Sequence, residues 1–168
     1  MTRQVDYWDG RRNPVIAGRP AADQYPYDLG LETVRENTAP EIIKVAGQLN
    51  AALSMGDVGA AIMLFSYDAV FEDTTLRTRQ EGQLAIGRHL QRTLSLLPYG
   101  SGTILRHILG SAQGGGYEWR ASGQRDLNGI TVLVLDEQGL ITKMTAVWDG
   151  SRLNESTIQA LTALSVEA

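Results

Sequence analysis

The chain has no cysteine. That excludes a disulfide framework, thiol catalysis and thiolate-ligated metals. It has only two histidines, His89 and His107, and neither sits in a closely spaced His/carboxylate set, so no structural or catalytic zinc site is expected. It lacks an excess of basic residues: 15 Lys and Arg against 19 Asp and Glu give a net charge of -4. Nucleic acid, which demands a basic patch, is therefore not expected as a partner. No apolar run approaches the roughly 20 residues that span a bilayer, so no membrane segment is expected. No hydrophobic stretch follows the charges of "MTRQVDYWDGRRNPV", so a secretory leader is not expected and the cytoplasm is the expected compartment. No serine stands in a G-x-S-x-G setting. The glycine-rich "GSAQGGGYEW" lacks the lysine and hydroxyl residue of a phosphate loop, and reads as a flexible hairpin between two strands. No cofactor is called for.

What is present fits one domain of ordinary size, with 43% hydrophobic residues among 168. Residues 1–37 read as an irregular arm. They hold three of the five prolines, three of the six tyrosines and Trp8, and they include a short helix over "DLGLETVREN". Tyr7, Trp8, Tyr25 and Tyr27 suit pinning that arm to the domain surface, or covering a pocket mouth or a partner subunit. Residues 38–168 form the domain proper. "TAPE" matches a capping box with Thr38 as N-cap, and Ile42, Val45, Leu49 and Leu53 follow at helical spacing. Gly56 ends this helix and Asp57 caps a second, short one. A third runs from about Gln83 to Leu97, before Pro98.

"TILRHIL", "GYEWRAS", "GITVLVL" and "LITKMTAVWD" then read as strands, the last two joined by a "DEQG" turn, and a closing helix covers about 154–165. Helices first and antiparallel strands afterwards predict an α+β fold, with helices packed around a cavity on one face of a curved antiparallel sheet.

"DAVFEDTTL" carries the sharpest candidate. Side chains alternate along a strand, so Asp73 shares its face with Phe71, and Glu72 points the opposite way into solvent. A carboxylate in an apolar wall is costly unless used. There, desolvation lifts it toward the range of a general base. The competing reading is a strand-end aspartate bonding its own backbone. His107, sharing a face with Leu105 and Leu109, is the second catalytic candidate, as general acid or donor to a substrate oxygen. The apolar lining is expected from Leu49, Phe71, Trp119, Leu133, Met144 and Trp148, with Thr131 as a polar member. Asp149, at the end of the last strand, is either an N-cap ahead of the closing helix or a second carboxylate of the site.

"LNAALSMGDVGAAIMLFSYDAVFEDTTL", "GQLAIGRHL" and "VLDEQGLITKMTAVWD", in this order over roughly residues 39–160, resemble the nuclear-transport-factor-2-like superfamily, and within it the SnoaL-like and ketosteroid-isomerase-like branch. The resemblance implies a cone-like α+β barrel with a deep apolar cavity, often dimeric. Its activities include isomerases, cyclases, dehydratases, epoxide hydrolases and other lyases, and some members are non-catalytic binding modules. Asp73 in "F-E-D-T" falls on the catalytic base of the "V-E-D-P" segment of ketosteroid isomerases, a system whose acid/base division is well understood. The oxyanion partners do not carry over: Leu49 and Thr131 stand at their places. The expectation is a homodimeric, cofactor-independent isomerase, cyclase or lyase. Its ligand would be a small apolar oxygenated molecule such as an aromatic, polyketide or terpenoid. The alternative is a ligand-binding or dimerisation module without catalysis.

Overall fold

A computed structural model describes residues 38–100, 102–121 and 127–165. The readings made for the arm, residues 1–37, lie outside the described residues.

Helix α1, Pro40–Met55, has proline in its first turn and buries Ile42, Val45, Ala46, Leu49, Ala52 and Leu53 along one stripe. Gly56 stops it in the left-handed conformation (φ 72°) that glycine adopts without a Cβ penalty. The expected capping box does not form. Ala39 is the N-cap and no side chain caps the helix; the Thr38 hydroxyl instead donates to the Ile108 carbonyl at 3.3 Å, and the Ala39 N–H to Gly110 O at 3.1 Å. Acceptors on a neighbouring strand have displaced the local cap. Helix α2, Val58–Ile62, is capped by Asp57, which accepts from the Ala60 N–H at 2.8 Å.

Strand β1, Phe65–Asp73, pairs with a short β2, Thr78–Glu81, that the polar "TRQE" does not announce. Helix α3, Gln83–Thr93, stops earlier than its apolar pattern suggests. Pro98 disfavours helical geometry before it, and the chain tightens into turns from Leu94 that carry Leu94, Leu97 and Tyr99 inward, all buried. Strands β3 (Thr103–Ser111), β4 (Gly114–Ala121), β5 (Asn128–Leu135) and β6 (Ile141–Trp148) follow. A single 3-10 turn, Gly150–Arg152, and helix α4, Glu155–Ser165, close the domain.

The six strands form one curved sheet in the order β2-β1-β6-β5-β4-β3. The α+β class is the expected one. The sheet is mixed rather than wholly antiparallel, because β1 runs parallel to β6; β2, α3 and the strands β3 to β5 lie between the two, a connection far longer than the dozen or so residues a parallel pair needs. The "GSAQGGGYEW" segment is the expected hairpin, joining β3 to β4 through Ala112 and Gln113, but its glycines are not there for flexibility. Gly114 and Gly115 belong to β4, and a Cβ on Gly115 would lie 2.0 Å from Leu109 O, so the run is glycine because backbones press together there. The inner face of the sheet, with α1, α3 and α4, encloses the core.

Candidate functional site

Alternation along β1 turns Ala69, Phe71 and Asp73 inward, all at most 1% exposed. Asp73 has no exposed surface at all. Its two oxygens do different things. Oδ1 accepts the Leu76 backbone N–H at 2.9 Å, closing the turn after the strand. Oδ2 accepts two side-chain donors, the Trp148 indole N–H at 2.8 Å and the Tyr99 hydroxyl at 3.0 Å. The backbone-bonding reading of the "FED" segment holds for Oδ1, while Oδ2 lies in the apolar wall and is held by side chains. Burial raises the carboxyl pKa above its ordinary value, against the pull of Trp148 first, then of Leu76 and Tyr99. Burial and the adjacent carboxylate hold the Tyr99 phenol protonated, well above its usual range.

Register places Asp73 in a row across the inner face. Asp73 lies beside Ala146, Ala146 beside Thr131, and Thr131 beside Tyr117. The next row is Trp148, Gly129 and Trp119. Tyr99 packs edge-on against Trp119 (centroids 5.7 Å apart) and Phe71 (6.5 Å). Two buried donors in these rows, Trp119 Nε1 and Thr131 Oγ1, have no hydrogen-bond partner. Thr131 stands close enough to oppose the rise that burial causes in the Tyr117 phenol, yet in a geometry that closes no bond to it. A buried donor left unpaired costs about 1–3 kcal/mol. Such groups in an otherwise close-packed wall are the means by which a pocket orients a polar atom of a ligand.

The residues expected as lining, Leu49, Phe71, Trp119, Thr131, Leu133, Met144 and Trp148, are buried on α1 or the inner sheet face, all but Thr131 within one apolar core. His107 is not with them. The β3–β4 register shifts between Leu105 and Ile108, so Arg106 and His107 together stand opposite Glu118 alone. That bulge inverts the side-chain phase midway along β3. Leu105 and Ile108 pack against the core, whereas His107 lies half-buried on the outer face, its Nδ1 2.7 Å from Glu118 Oε2. There it lines a groove of about 620 Å³ with Leu109, Glu118, Ile130, Val147 and Asp149. Asp149 caps the 3-10 turn, accepting from the Ser151 N–H at 3.0 Å. Glu72 does face outward, but it is paired with Arg79 (2.6 Å) and Lys143 (2.8 Å) rather than simply solvated.

Two interior residues escape the sequence reading. Tyr99 follows Pro98 just beyond a helix, and its only sequence signal is an aromatic amid Leu94 and Leu97. His89 falls on the buried stripe of α3 with Ile86, Leu90 and Thr93, and its ring packs 5.4 Å from Phe71. Burial first, then the charge of Arg92, lowers its pKa from 6.5 to about 4, so it is neutral at pH 7. A depressed histidine pKa contributes stability that is fully present above about 6.5 and lost as pH falls toward 4. The unfolding free energy of wild type relative to His89→Leu is expected to fall by about 3 kcal/mol between pH 7 and pH 4. Denaturant titrations across that range measure it, and a constant difference would refute the assignment.

No family model matches the sequence, and no curated protein matches it at a significant level. Solved structures do match. A steroid delta-isomerase from Pseudomonas aeruginosa aligns over 77% of this chain and 91% of its own, with a TM-score of 0.57 and 20% identity. An uncharacterised bacterial protein with a cystatin-like fold, from Silicibacter pomeroyi DSS-3, aligns over 72% and 82%, again with TM-score 0.57 and 20% identity. The fold is the nuclear-transport-factor-2-like fold. The same architecture is also found in a de novo designed protein with a curved β-sheet, covering 76% of this chain and 98% of that one, TM-score 0.62, 14% identity. A nuclear-transport-factor-2-like fold thus fixes the scaffold and not the chemistry, and function must be argued from Asp73 and its neighbours. Among the described residues no cluster of His, Asp or Glu could hold a metal ion, and no helix is long and apolar enough to cross a membrane.

Proposed function

We propose that the interior face is the site of a cofactor-independent acid/base enzyme acting on a small apolar molecule that carries a carbonyl or hydroxyl oxygen, such as an aromatic, polyketide or terpenoid. The observation that supports this most is the Asp73 carboxylate, wholly desolvated and held by Tyr99 and Trp148 on one oxygen. Its proton affinity is raised, as a base working near neutrality requires. In the proposed reaction the ligand oxygen takes the unpaired Trp119 N–H and Thr131 O–H donors. Tyr99 turns its hydroxyl to the ligand and uncovers Oδ2. Asp73 removes a proton from the carbon beside the carbonyl, the C–H electron pair moves toward the oxygen, and the donors stabilise the charge that develops there. Return of the proton to another carbon gives isomerisation. Loss of a leaving group gives lyase cleavage, and attack of the carbon on a second carbonyl gives cyclisation. His107, on the outer face, has no part in this.

A thermal-shift screen against steroids, polyketide intermediates, terpene epoxides and lignin-type aromatics tests the pocket. A ligand at about a hundred times its Kd adds roughly 2.7 kcal/mol of stability. A stabilising ligand that wild type then transforms supports the enzyme. One bound and left unchanged supports the second reading, a binding module. No stabilisation by any class would overturn both.

For assembly we propose a homodimer through the outer face of the sheet. Ile104, Leu109, Ile130, Val132, Val134 and Val147, on strands β3, β5 and β6, are each between 43% and 61% exposed. Together with β4 between them, four strands about 4.8 Å apart and eight residues long present a face of roughly 500 Å² in projection, before side-chain relief is added. That approaches the ~800 Å² per partner of a stable interface. The Glu118 carboxylate lies within this face beside His107, and Lys143–Glu72–Arg79 borders it on the β1 side, so both charge signs are available to a self-complementary two-fold contact. Sedimentation equilibrium is expected to show a dimer that Val132→Lys dissociates and that Met55→Lys, on the exposed end of α1, leaves intact. A wild type that is monomeric at all concentrations would overturn this assembly.

A further inference from the structure

Trp148 is the last residue of β6, and β1 has ended by that point: its final rung to β6 is Asp73 beside Ala146. On the β1 side, the backbone N–H and C=O of Trp148 therefore face no strand residue. A side chain takes the rung. The Thr75 hydroxyl donates to Trp148 O at 2.7 Å and accepts from the Trp148 N–H at 3.0 Å. One hydroxyl, with one proton and free lone pairs, thus satisfies both groups as a strand residue would. Thr74 secures the rung before it, its N–H donating to Ala146 O at 3.0 Å and its hydroxyl to the same oxygen at 3.1 Å.

The consequence is a closed circuit around the carboxylate. Asp73 Oδ1 holds the Leu76 N–H and so shapes the turn that contains Thr75. Thr75 holds the Trp148 backbone, and the Trp148 indole N–H returns to Asp73 Oδ2 at 2.8 Å. Every link is 3.0 Å or shorter. The Thr75 methyl faces Gly150 in the turn after β6, near enough that a Cβ added there would stand 3.0 Å from Cγ2.

We propose that Thr75 is the positioning residue of this site: its hydroxyl clamps the end of β6 so that the Trp148 indole N–H stays on Asp73 Oδ2 while Tyr99 is free to exchange partners. This rests on the reading of Asp73 as the base, and it explains why one oxygen has two donors of different character. Trp148 is tied through its backbone to the same turn as the carboxylate. Tyr99 comes from the turns after α3, with no such tie to β1.

The test replaces Thr75 by valine, which keeps the shape and removes the hydroxyl, by serine, which keeps the hydroxyl, and by alanine in case the valine protein does not fold. The readouts are the Trp148 indole resonance in ¹H–¹⁵N spectra, assigned with Trp148→Phe, and the titration of the Asp73 carboxyl carbon. Valine or alanine is expected to move the indole resonance toward that of a free indole, speed its solvent exchange, and raise the Asp73 titration further as its principal opposing donor loosens. Serine restores both. With a substrate from the screen, kcat is expected to fall at least tenfold in the valine protein while KM stays within a factor of three. Folded valine and alanine variants whose indole signal and Asp73 titration match wild type would overturn the proposal. A shifted indole together with full turnover by Asp73→Asn would leave the clamp standing and remove the base, so the two failures are distinguishable.

Discussion

Asp73→Asn is expected to abolish nearly all turnover while leaving a folded, ligand-binding domain. An amide cannot accept a proton from carbon at useful rates, and loss of a positioned general base costs roughly 100- to 10,000-fold. The substitution is not silent structurally. Asp73 accepts from three donors, the Leu76 N–H, the Tyr99 hydroxyl and the Trp148 indole, and an asparagine offers one acceptor oxygen and one NH₂. With its oxygen toward Tyr99 and Trp148, its NH₂ opposes the Leu76 N–H. The reverse orientation sets NH₂ against the indole. Either way one buried donor loses its acceptor, at about 1–3 kcal/mol. Against this, removal of the carboxylate removes a desolvation penalty. Because the folded-state pKa of Asp73 is raised, the carboxyl contributes stability at low pH that is lost as pH rises through the folded value. Asp73→Asn should therefore be most destabilised relative to wild type in acid, and least so at neutral pH. Melting curves across pH measure this, and steady-state assays with a transformed ligand measure the rate. Unchanged kcat would exclude Asp73 as the base. A difference in stability that grows toward neutral pH would contradict the raised pKa.

Gly129→Ala is expected to be the most damaging single-methyl change near the site. A Cβ at Gly129 would lie 2.3 Å from Cζ2 of Trp119 and 2.5 Å from the carbonyl oxygen of Val147. The indole is fully buried and braced by Tyr99, and the carbonyl belongs to the neighbouring strand, so neither can yield without moving the sheet. Overpacking of this kind costs typically 1–3 kcal/mol, occasionally more, and the contact with backbone places Gly129 toward the upper end. The shift also displaces Trp119, whose N–H, like the Thr131 hydroxyl, is buried without a partner. Stability and ligand affinity should therefore fall together. Gly47→Ala, where an added Cβ meets nothing within 4 Å, is the control and should leave both unchanged or slightly improved. A Gly129→Ala protein as stable as wild type would show that Trp119 has room to move, and would undo the picture of a rigid wall behind the ligand.

The inner face is readable from the sequence because period-two alternation holds over residues 69–73 of β1, along β4 and β5, and over residues 144–148 of β6, and each of Phe71, Asp73, Trp119, Thr131, Leu133, Met144 and Trp148 falls where that phase puts it. Alternation fails on β3 because one extra residue resets the phase, and nothing in "TILRHIL" marks where. It therefore assigns His107 to the wrong face. The β2 strand escapes notice because four polar residues owe their strand to pairing with β1 and to Gln80, whose Nε2 donates to Ser165 O at 2.8 Å. The parallel β1–β6 pairing is a tertiary choice with no local signature. Tyr99 and Thr75 are hidden for a related reason. Each lies in a turn, where no periodicity assigns a direction, and each acts on a residue far along the chain, Tyr99 on Asp73 and Thr75 on Trp148. A single carboxylate can be picked out by the cost of burying it; its donors become visible only once the strands are placed side by side.

The most direct measurement is deuterium exchange. A ketone or enone that stabilises the protein in the thermal-shift screen is incubated with wild type and with Asp73→Asn in D₂O, and the hydrogens beside its carbonyl are followed by NMR. Proton abstraction at carbon exchanges those hydrogens whether or not a net reaction follows, because the acid formed on Asp73 can return deuterium. Exchange catalysed by wild type and absent from Asp73→Asn is the expected result. A ligand that binds both proteins equally and exchanges in neither would contradict the acid/base reading and make the interior a binding site alone.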